Sequence, residues 1–163
     1  MSSESSVVSR AKALLESVTP LQFDCGRLCG SACCAGDEND GMFLFPGEIC
    51  RVSGAEVSEI PVEGFPGKMR LMVCVGTCRH EDRPLACRLF PLMAVRKADG
   101  SLGVRTDARG RPVCPLCRQP VAALSPDFVN AVREAFRILS EDPEQRAFLD
   151  ALMAHENAFR LKF

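Results

Sequence analysis

Ten cysteines in 163 residues constrain this chain more than any other feature of its sequence. Most of them fall into two clusters, one near the start of the chain and one in its middle. Thiols spaced this closely serve either as disulfide bridges or as ligands of a soft or borderline metal ion. The candidate metal ligands are Cys25, Cys29, Cys33, Cys34, Cys74, Cys78, Cys87, Cys114 and Cys117.

The start of the chain favours metal ligation over disulfides. It shows neither the basic segment nor the apolar segment of a secretory signal, and no apolar run reaches the roughly 20 residues that span a bilayer. We therefore expect a cytoplasmic protein without a membrane partner, in which thiols stay reduced. The length suits one domain, residues 1–163, and the composition is globular, with 47% hydrophobic and 25% charged residues.

A net charge of −1 conceals a basic middle segment. Residues 68–118 hold 11 basic and 4 acidic side chains, a net charge of +7, in the same stretch as five of the cysteines. Metal-bound thiolates would offset this charge, and arginine donates several hydrogen bonds to sulfur or other acceptors. A nucleic-acid-binding face is the alternative interpretation. The first is favoured, because the basic residues follow the cysteines and few aromatic residues lie among them.

The apolar pattern predicts a small α+β fold with helices at both ends and a short antiparallel hairpin or sheet between them. An N-terminal part, residues 1–22, contains an amphipathic helix predicted over 6–18. Residues 23–120 form the predicted cysteine-rich, metal-binding core, and residues 121–163 the C-terminal pair of helices. The predicted strands of the core are 41–46, 69–74, 92–96 and 102–105, the last two joined as a hairpin through the Asp99-Gly100 turn.

The two C-terminal helices carry the strongest start signals in the chain. Ser125 and Asp142 are predicted as helix caps, and each is followed by a proline at the first helical position. Apolar side chains at helical spacing predict the buried faces of both helices. The residues of these faces are Phe128, Val129, Val132, Ala135, Phe136, Leu139, Phe148, Leu149, Leu152 and Phe159.

Spacing within the cysteine clusters leaves several chemistries open. The sequence Cys114-Pro-Leu-Cys117 has the two-residue gap of a zinc knuckle. A redox dithiol is the alternative there, although that site favours a strand before the first cysteine and a helix opening at it. A radical enzyme of the S-adenosylmethionine class needs cysteine gaps of three and two. The first cluster has gaps of three and three, and the chain is short for the barrel of such an enzyme.

Two segments together resemble a known family. The first is Cys25-Gly-Arg-Leu-Cys29-Gly-Ser-Ala-Cys33-Cys34, and the second runs from Cys78 through Arg83-Pro84 and Cys87-Arg88 to Phe90-Pro91. They resemble the YkgJ-like zinc- or iron-chelating cysteine-cluster family, which has a CxxCxxCC head and a later block containing RP and CRxFP. The head of this chain has wider gaps, similar to those of the related flagellin lysine methylases. The resemblance covers residues 23–120.

The resemblance implies ligand roles for six cysteines: Cys25, Cys29, Cys33, Cys34, Cys78 and Cys87. Cys74 lies where members of the family often carry a further cysteine, and Cys114 and Cys117 are added from their spacing. Arg83 and Arg88 flank Cys87, so we predict that they are hydrogen-bond donors which orient the ligands. Pro84 and Pro91 bracket a short turn or helix that would hold Cys87 in place.

The sequence predicts a metal-binding protein and leaves the metal open between zinc and an iron–sulfur cluster. Iron–sulfur is slightly favoured, because the ligands exceed one zinc site without forming two regular knuckle pairs. The alternatives are a metal- or cluster-dependent enzyme, either methyltransferase-like or redox, and a zinc-dependent nucleic-acid-binding module. No nucleotide-binding loop and no nucleophile–base pair supports the enzyme, and a nucleic acid partner is disfavoured. The sequence predicts no particular protein partner.

The remaining candidate ligands are interpreted as structural residues. Cys50 is isolated in the sequence and is predicted to be a small buried apolar residue. His80 could ligate a metal, but a structural role is favoured, and His155 is predicted to lie on the surface. The methionines at predicted strand positions are interpreted as core residues rather than as copper ligands.

Overall fold

The computed structural model describes residues 2–22, 41–74, 76 and 78–162, and within them the predicted α+β class is confirmed. These described residues form four α-helices and five strands, which alternate with short 3₁₀ turns. The helices are α1 (Ser6–Leu14), α2 (Leu85–Leu89), α3 (Pro126–Leu139) and α4 (Pro143–Arg160). The strands are β1 (Met42–Leu44), β2 (Glu56–Pro61), β3 (Lys68–Val73), β4 (Leu92–Arg96) and β5 (Leu102–Thr106).

A three-stranded antiparallel sheet has β3 at its centre, with β1 on one side and β2 on the other. Phe43 pairs with Leu71 and Leu44 with Arg70, so neighbouring residues of β1 point to opposite faces of the sheet. Phe43 and Met69 belong to the main hydrophobic core, whereas Leu44 and Met72 belong to a second, smaller cluster. The sheet therefore contributes one face to each cluster.

The main core lies between the helices and the β4–β5 hairpin. Helix α1 packs on α3, and α2 contacts both α1 and β1. The predicted stripe of α3 is buried throughout, and on α4 Phe148, Leu149 and Leu152 are buried while Phe159 is half-buried. Helices that are too short to be stable alone are stabilised by burying such a face against other elements.

The predicted helix starts are confirmed at both C-terminal helices. The side chain of Asp142 accepts a hydrogen bond from the backbone N–H of Gln145 at 3.0 Å, as expected of a cap. Ser125 occupies the cap position of α3, but its side chain makes no capping hydrogen bond. Proline stands at the start of each helix, where its missing N–H costs nothing.

The hairpin is also confirmed, with β4 and β5 paired antiparallel from Leu92 opposite Thr106 to Arg96 opposite Leu102. Gly100 lies in its turn with a φ of +85°, a conformation that favours glycine. Two predictions differ from the structure. Helix α1 ends at Leu14 rather than at residue 18, and β2 was not predicted, because most of its side chains are exposed and lack an apolar face.

Candidate metal centre

Four cysteines from separate parts of the chain meet at the smaller hydrophobic cluster. Its buried residues are Leu44, Val52 and Met72. The thiol-bearing residues packed against them are Cys50, Cys74, Cys78 and Cys87. All four residues are half-buried.

The sequence placed three of these cysteines in the candidate site and missed Cys50. Cys50 was interpreted as an isolated buried residue, but it lies in the same cluster as Cys74, Cys78 and Cys87. No sequence signal could have found this grouping, because Cys50 belongs to neither cysteine motif. The β2–β3 pairing contributes to it, because Glu56 lies opposite Val73 and the chain that enters β2 therefore passes the end of β3.

Strand β3 positions Cys74, which directly follows its last residue, Val73. The Cys74 thiol donates a hydrogen bond to the carbonyl of Gly76 at 2.8 Å. Gly41 stands at the same end of the sheet, where a Cβ on this residue would lie 2.4 Å from the carbonyl oxygen of Met72. This close backbone approach requires glycine at position 41, since any side chain would force the strands apart.

Helix α2 carries Cys87, and a buried carboxylate holds the start of that helix. Oε1 of Glu48 accepts a hydrogen bond from the backbone N–H of Leu85 at 2.7 Å, and Oε2 accepts one from the N–H of Phe45 at 2.9 Å. The Glu48 side chain has no exposed surface. Its carboxylate also lies 3.0 Å from Nζ of Lys12, which bonds Glu4 at 2.7 Å. One acidic side chain thus joins α1, the turn after β1 and α2.

Arg88 contacts three backbone carbonyl groups in the described part of the chain. Its guanidinium donates hydrogen bonds to the carbonyl oxygens of Arg83, Glu81 and Lys12, at 3.0, 2.9 and 3.3 Å. It therefore ties α2 to the preceding turn and to α1. That Arg88 orients metal ligands stays a prediction; the contacts of its guanidinium position α2, which carries Cys87. Arg83 contributes a carbonyl that accepts one of these bonds.

Other arginines of the basic segment are also bound to oxygen. Arg70 donates to the carbonyl of Glu48 at 2.7 Å, and Arg96 bonds Asp150 at 2.5 Å. Arg105 bonds the buried carboxylate of Glu156. The guanidinium groups of these three arginines are thus engaged by carbonyl and carboxylate oxygens, and the offset of the segment's charge by metal-bound thiolates stays a prediction.

Cys114 and Cys117 lie elsewhere, in the main hydrophobic core. Cys114 precedes the 3₁₀ turn Pro115–Arg118, and the backbone N–H of Cys117 bonds its carbonyl at 3.1 Å. A hydrogen bond from the Cys117 thiol lowers the pKa of Cys114 to about 6; burial opposes this shift, and the backbone N–H groups of Leu116 and Cys117 add to it. The side chains are 7% and 1% exposed, respectively.

A second buried carboxylate supports the surroundings of Cys117. Oε1 of Glu156 on α4 accepts hydrogen bonds from the backbone N–H of Ala108 at 3.1 Å and from Arg160 at 2.8 Å. This fixes the 3₁₀ turn Ala108–Gly110, whose last residue lies against Cys117. A Cβ at position 110 would stand 2.5 Å from the Cys117 sulfur.

The two histidines are engaged in other contacts. Nε2 of His80 lies 2.9 Å from the carbonyl oxygen of Glu16, so this nitrogen donates a proton and is not a metal ligand in this arrangement. His155 is exposed, as predicted, with Nδ1 3.3 Å from Arg109. Burial of part of its ring, and secondarily Arg109, lower the pKa of His155 below its usual value.

The predicted ligands Cys25, Cys29, Cys33 and Cys34 lie outside the described residues. Over residues 2–22, 41–74, 76 and 78–162, no group of three or more cysteine, histidine or acidic side chains has the arrangement of a metal site. The described cysteines thus share a cluster without completing a coordination sphere among themselves. Among the described helices, none combines the length and the apolar character needed to cross a bilayer.

Comparison of the chain with protein-family models, with curated proteins and with solved structures gave no match.

Proposed function

We propose that this chain is a metal-binding protein that holds zinc or an iron–sulfur cluster through clustered cysteines, with Cys74, Cys78 and Cys87 among the ligands. One observation supports this most directly. Three cysteines that the sequence picks out as ligands pack with Cys50 on one small apolar cluster at the end of the three-stranded sheet. Cys50 is therefore a fourth candidate ligand.

The chemistry of this donor set fits both proposed centres. Thiolates are the ligands that zinc and iron–sulfur clusters take in proteins, four to a closed zinc site and four to a cluster. The half-buried positions limit the access of water without removing it, which suits a centre assembled from several chain segments. Neither Cys50 nor Cys74 is joined in a disulfide in this structure.

The remaining ligands are proposed to come from Cys25, Cys29, Cys33 and Cys34, as the family resemblance implies. Sequence proximity supports this assignment. Cys34 precedes Gly41 by only seven positions, and Gly41 stands at the same end of the sheet as Cys74.

Purification without oxygen, followed by metal analysis and a visible spectrum, tests the proposal. We expect a stoichiometric metal, either zinc without colour or iron with absorption near ~400 nm from thiolate–iron bonds. Single Cys→Ser substitutions at Cys74, Cys78 and Cys87 should each lower the bound metal. Cys114→Ser is the matched control, because the same atom is replaced in the main core, and it should retain the metal.

Protein that contains no metal under these conditions, and gains none on reconstitution with zinc or with iron and sulfide, would contradict the proposal. Equal loss in all four variants, with Cys114→Ser included, would keep metal binding but place Cys114 among the ligands. A visible spectrum then separates the two metals, since zinc has no redox chemistry and no absorption of its own.

A further inference from the structure

Cys114 and Cys117 form a close thiol pair that the proposed metal centre does not use. Two residues separate the cysteines, the 3₁₀ turn Pro115–Arg118 begins directly after Cys114 and contains Cys117, and both side chains are buried in the main core. Hydrogen bonding from the Cys117 thiol lowers the pKa of Cys114, burial opposes this, and the backbone N–H groups of Leu116 and Cys117 add to it, so negative charge on Cys114 is favoured.

The backbone from Cys114 to Cys117 forms a tight turn. The N–H of Cys117 bonds the carbonyl of Cys114 at 3.1 Å, and Pro115 begins the 3₁₀ turn between them. Two cysteines held in one such turn can be bridged without moving other elements, because a disulfide needs its Cα atoms to be only about 4.4–6.8 Å apart. The turn is fixed from the other side by the close approach of Gly110 to Cys117.

The pair is also separate from the other cysteines. It belongs to the main core, together with Leu92 and Leu124, whereas Cys50, Cys74, Cys78 and Cys87 pack on the smaller cluster. This packing favours chemistry within the pair.

We propose that Cys114 and Cys117 are a redox-active dithiol that exchanges with low-molecular-weight disulfides such as oxidised glutathione. In the first step the Cys114 thiolate attacks one sulfur of that disulfide, which releases one thiol and leaves a mixed disulfide on Cys114. In the second step Cys117 gives up its proton and attacks the Cys114 sulfur, which releases the second thiol. The protein loses two electrons and two protons, and the external disulfide becomes two thiols.

Exposure assigns the roles of the two cysteines and the size of the partner. Cys114 is 7% exposed and Cys117 is 1% exposed, so an external disulfide can reach only Cys114, and Cys117 can react only with its neighbour. The small exposed area of Cys114 favours a small-molecule disulfide over a protein disulfide as the partner.

Tryptic digestion gives a direct readout on the full chain. Trypsin does not cleave between Arg111 and Pro112, so the peptide Gly110–Arg118 contains Cys114 and Cys117 and no other cysteine. The protein as purified, with any bound metal, is equilibrated in glutathione buffers of decreasing thiol content and then alkylated. We expect the doubly alkylated peptide to be replaced by an unalkylated form that is two hydrogen atoms lighter than the reduced peptide. This change should take place over a roughly hundredfold range of the ratio of squared reduced glutathione to oxidised glutathione.

Two variants test the assigned roles. In Cys117→Ser the same peptide should carry glutathione stably on Cys114, because the resolving thiol is missing. In Cys114→Ser the peptide should carry no glutathione, because Cys117 is buried. Two results would overturn the proposal. One is a glutathione adduct that forms only in Cys114→Ser, and the other is a wild-type peptide that stays doubly alkylated in the most oxidising buffer. Loss of the bound metal in Cys114→Ser would also overturn the dithiol proposal. If the protein contains no metal but still forms the Cys114–Cys117 disulfide, only the proposed metal-binding function is refuted.

Discussion

The buried carboxylate of Glu48 offers a sharp test of how the candidate site is held. In Glu48→Ala, the backbone N–H groups of Leu85 and Phe45 lose their acceptor inside the protein. A buried donor left without a partner costs about 1–2 kcal/mol of folding free energy, and here there are two. Lys12 loses one of its two carboxylate partners and keeps Glu4, which adds about 1 kcal/mol. We expect a total loss of about 3–5 kcal/mol, the range found on breaking a buried ion pair.

Urea unfolding followed by circular dichroism measures this loss. Because a domain of this size has a stability of about 5–15 kcal/mol, the midpoint should fall by a large fraction of its value while the slope stays unchanged. Glu134→Ala is the matched control. Glu134 bonds Arg137 at 2.6 Å on the exposed surface of α3, and its removal should leave the midpoint within experimental error.

The same substitution should loosen the segment that carries Cys87. Trypsin yields the peptide His80–Arg88, because Arg83 precedes a proline, and Cys87 is its only cysteine. Alkylation of this peptide in the native protein should be faster in Glu48→Ala than in wild type. A stability loss below about 1 kcal/mol would refute the reasoning, since it would mean that water replaces the carboxylate at no cost.

Three further predictions concern the remaining features. Gly110→Ala should destabilise the protein by about 1–3 kcal/mol in the same urea assay, because the new methyl group would lie 2.5 Å from the Cys117 sulfur and 2.7 Å from the Phe90 ring. In the reduced protein, alkylation of Cys114 should be half-maximal near pH 6 rather than near the ordinary thiol pKa of 9.0. This lowered pKa makes a contribution to stability that is complete above the unfolded-state pKa and is lost as the pH falls to about 6. Removal of the metal by a chelator should lower amide-exchange protection in β1 and β3 before it does so in α3, because a structural zinc site contributes on the order of 10 kcal/mol to the elements that bind it.

The sequence correctly predicted the helices and strands that show both a start or end signal and a run of apolar side chains. Proline after a cap residue, followed by a stripe of apolar side chains, predicted α3 from Pro126 to Leu139. The turn residues Asp99-Gly100 between two apolar runs predicted the β4–β5 hairpin. Pro84 and Pro91 bracketed the short α2 that carries Cys87.

Long-range contacts could not be read in the same way. Strand β2 is held by its backbone bonds to β3, and its exposed side chains give no alternating pattern. Glu48 looks like an ordinary surface residue in the sequence, and its burial depends on Lys12 and Leu85, which lie in distant segments. The grouping of Cys50 with Cys74 depends on long-range strand pairing, since β2 begins opposite the end of β3.

The segments that carry Cys87 and Cys117 are held by two different buried carboxylates, so the reactivity of these two cysteines can be perturbed separately. Glu48 holds the start of α2, which carries Cys87, whereas Glu156 bonds the backbone of Ala108 in the turn that packs on Cys117. If each carboxylate acts locally, Glu48→Ala should speed alkylation of the peptide His80–Arg88 alone, and Glu156→Ala that of the peptide Gly110–Arg118 alone. Equal acceleration of both peptides in either variant would show that the chain opens as one cooperative unit. The proposed metal centre and the proposed dithiol would then share one opening equilibrium, and chemistry at one would alter access to the other.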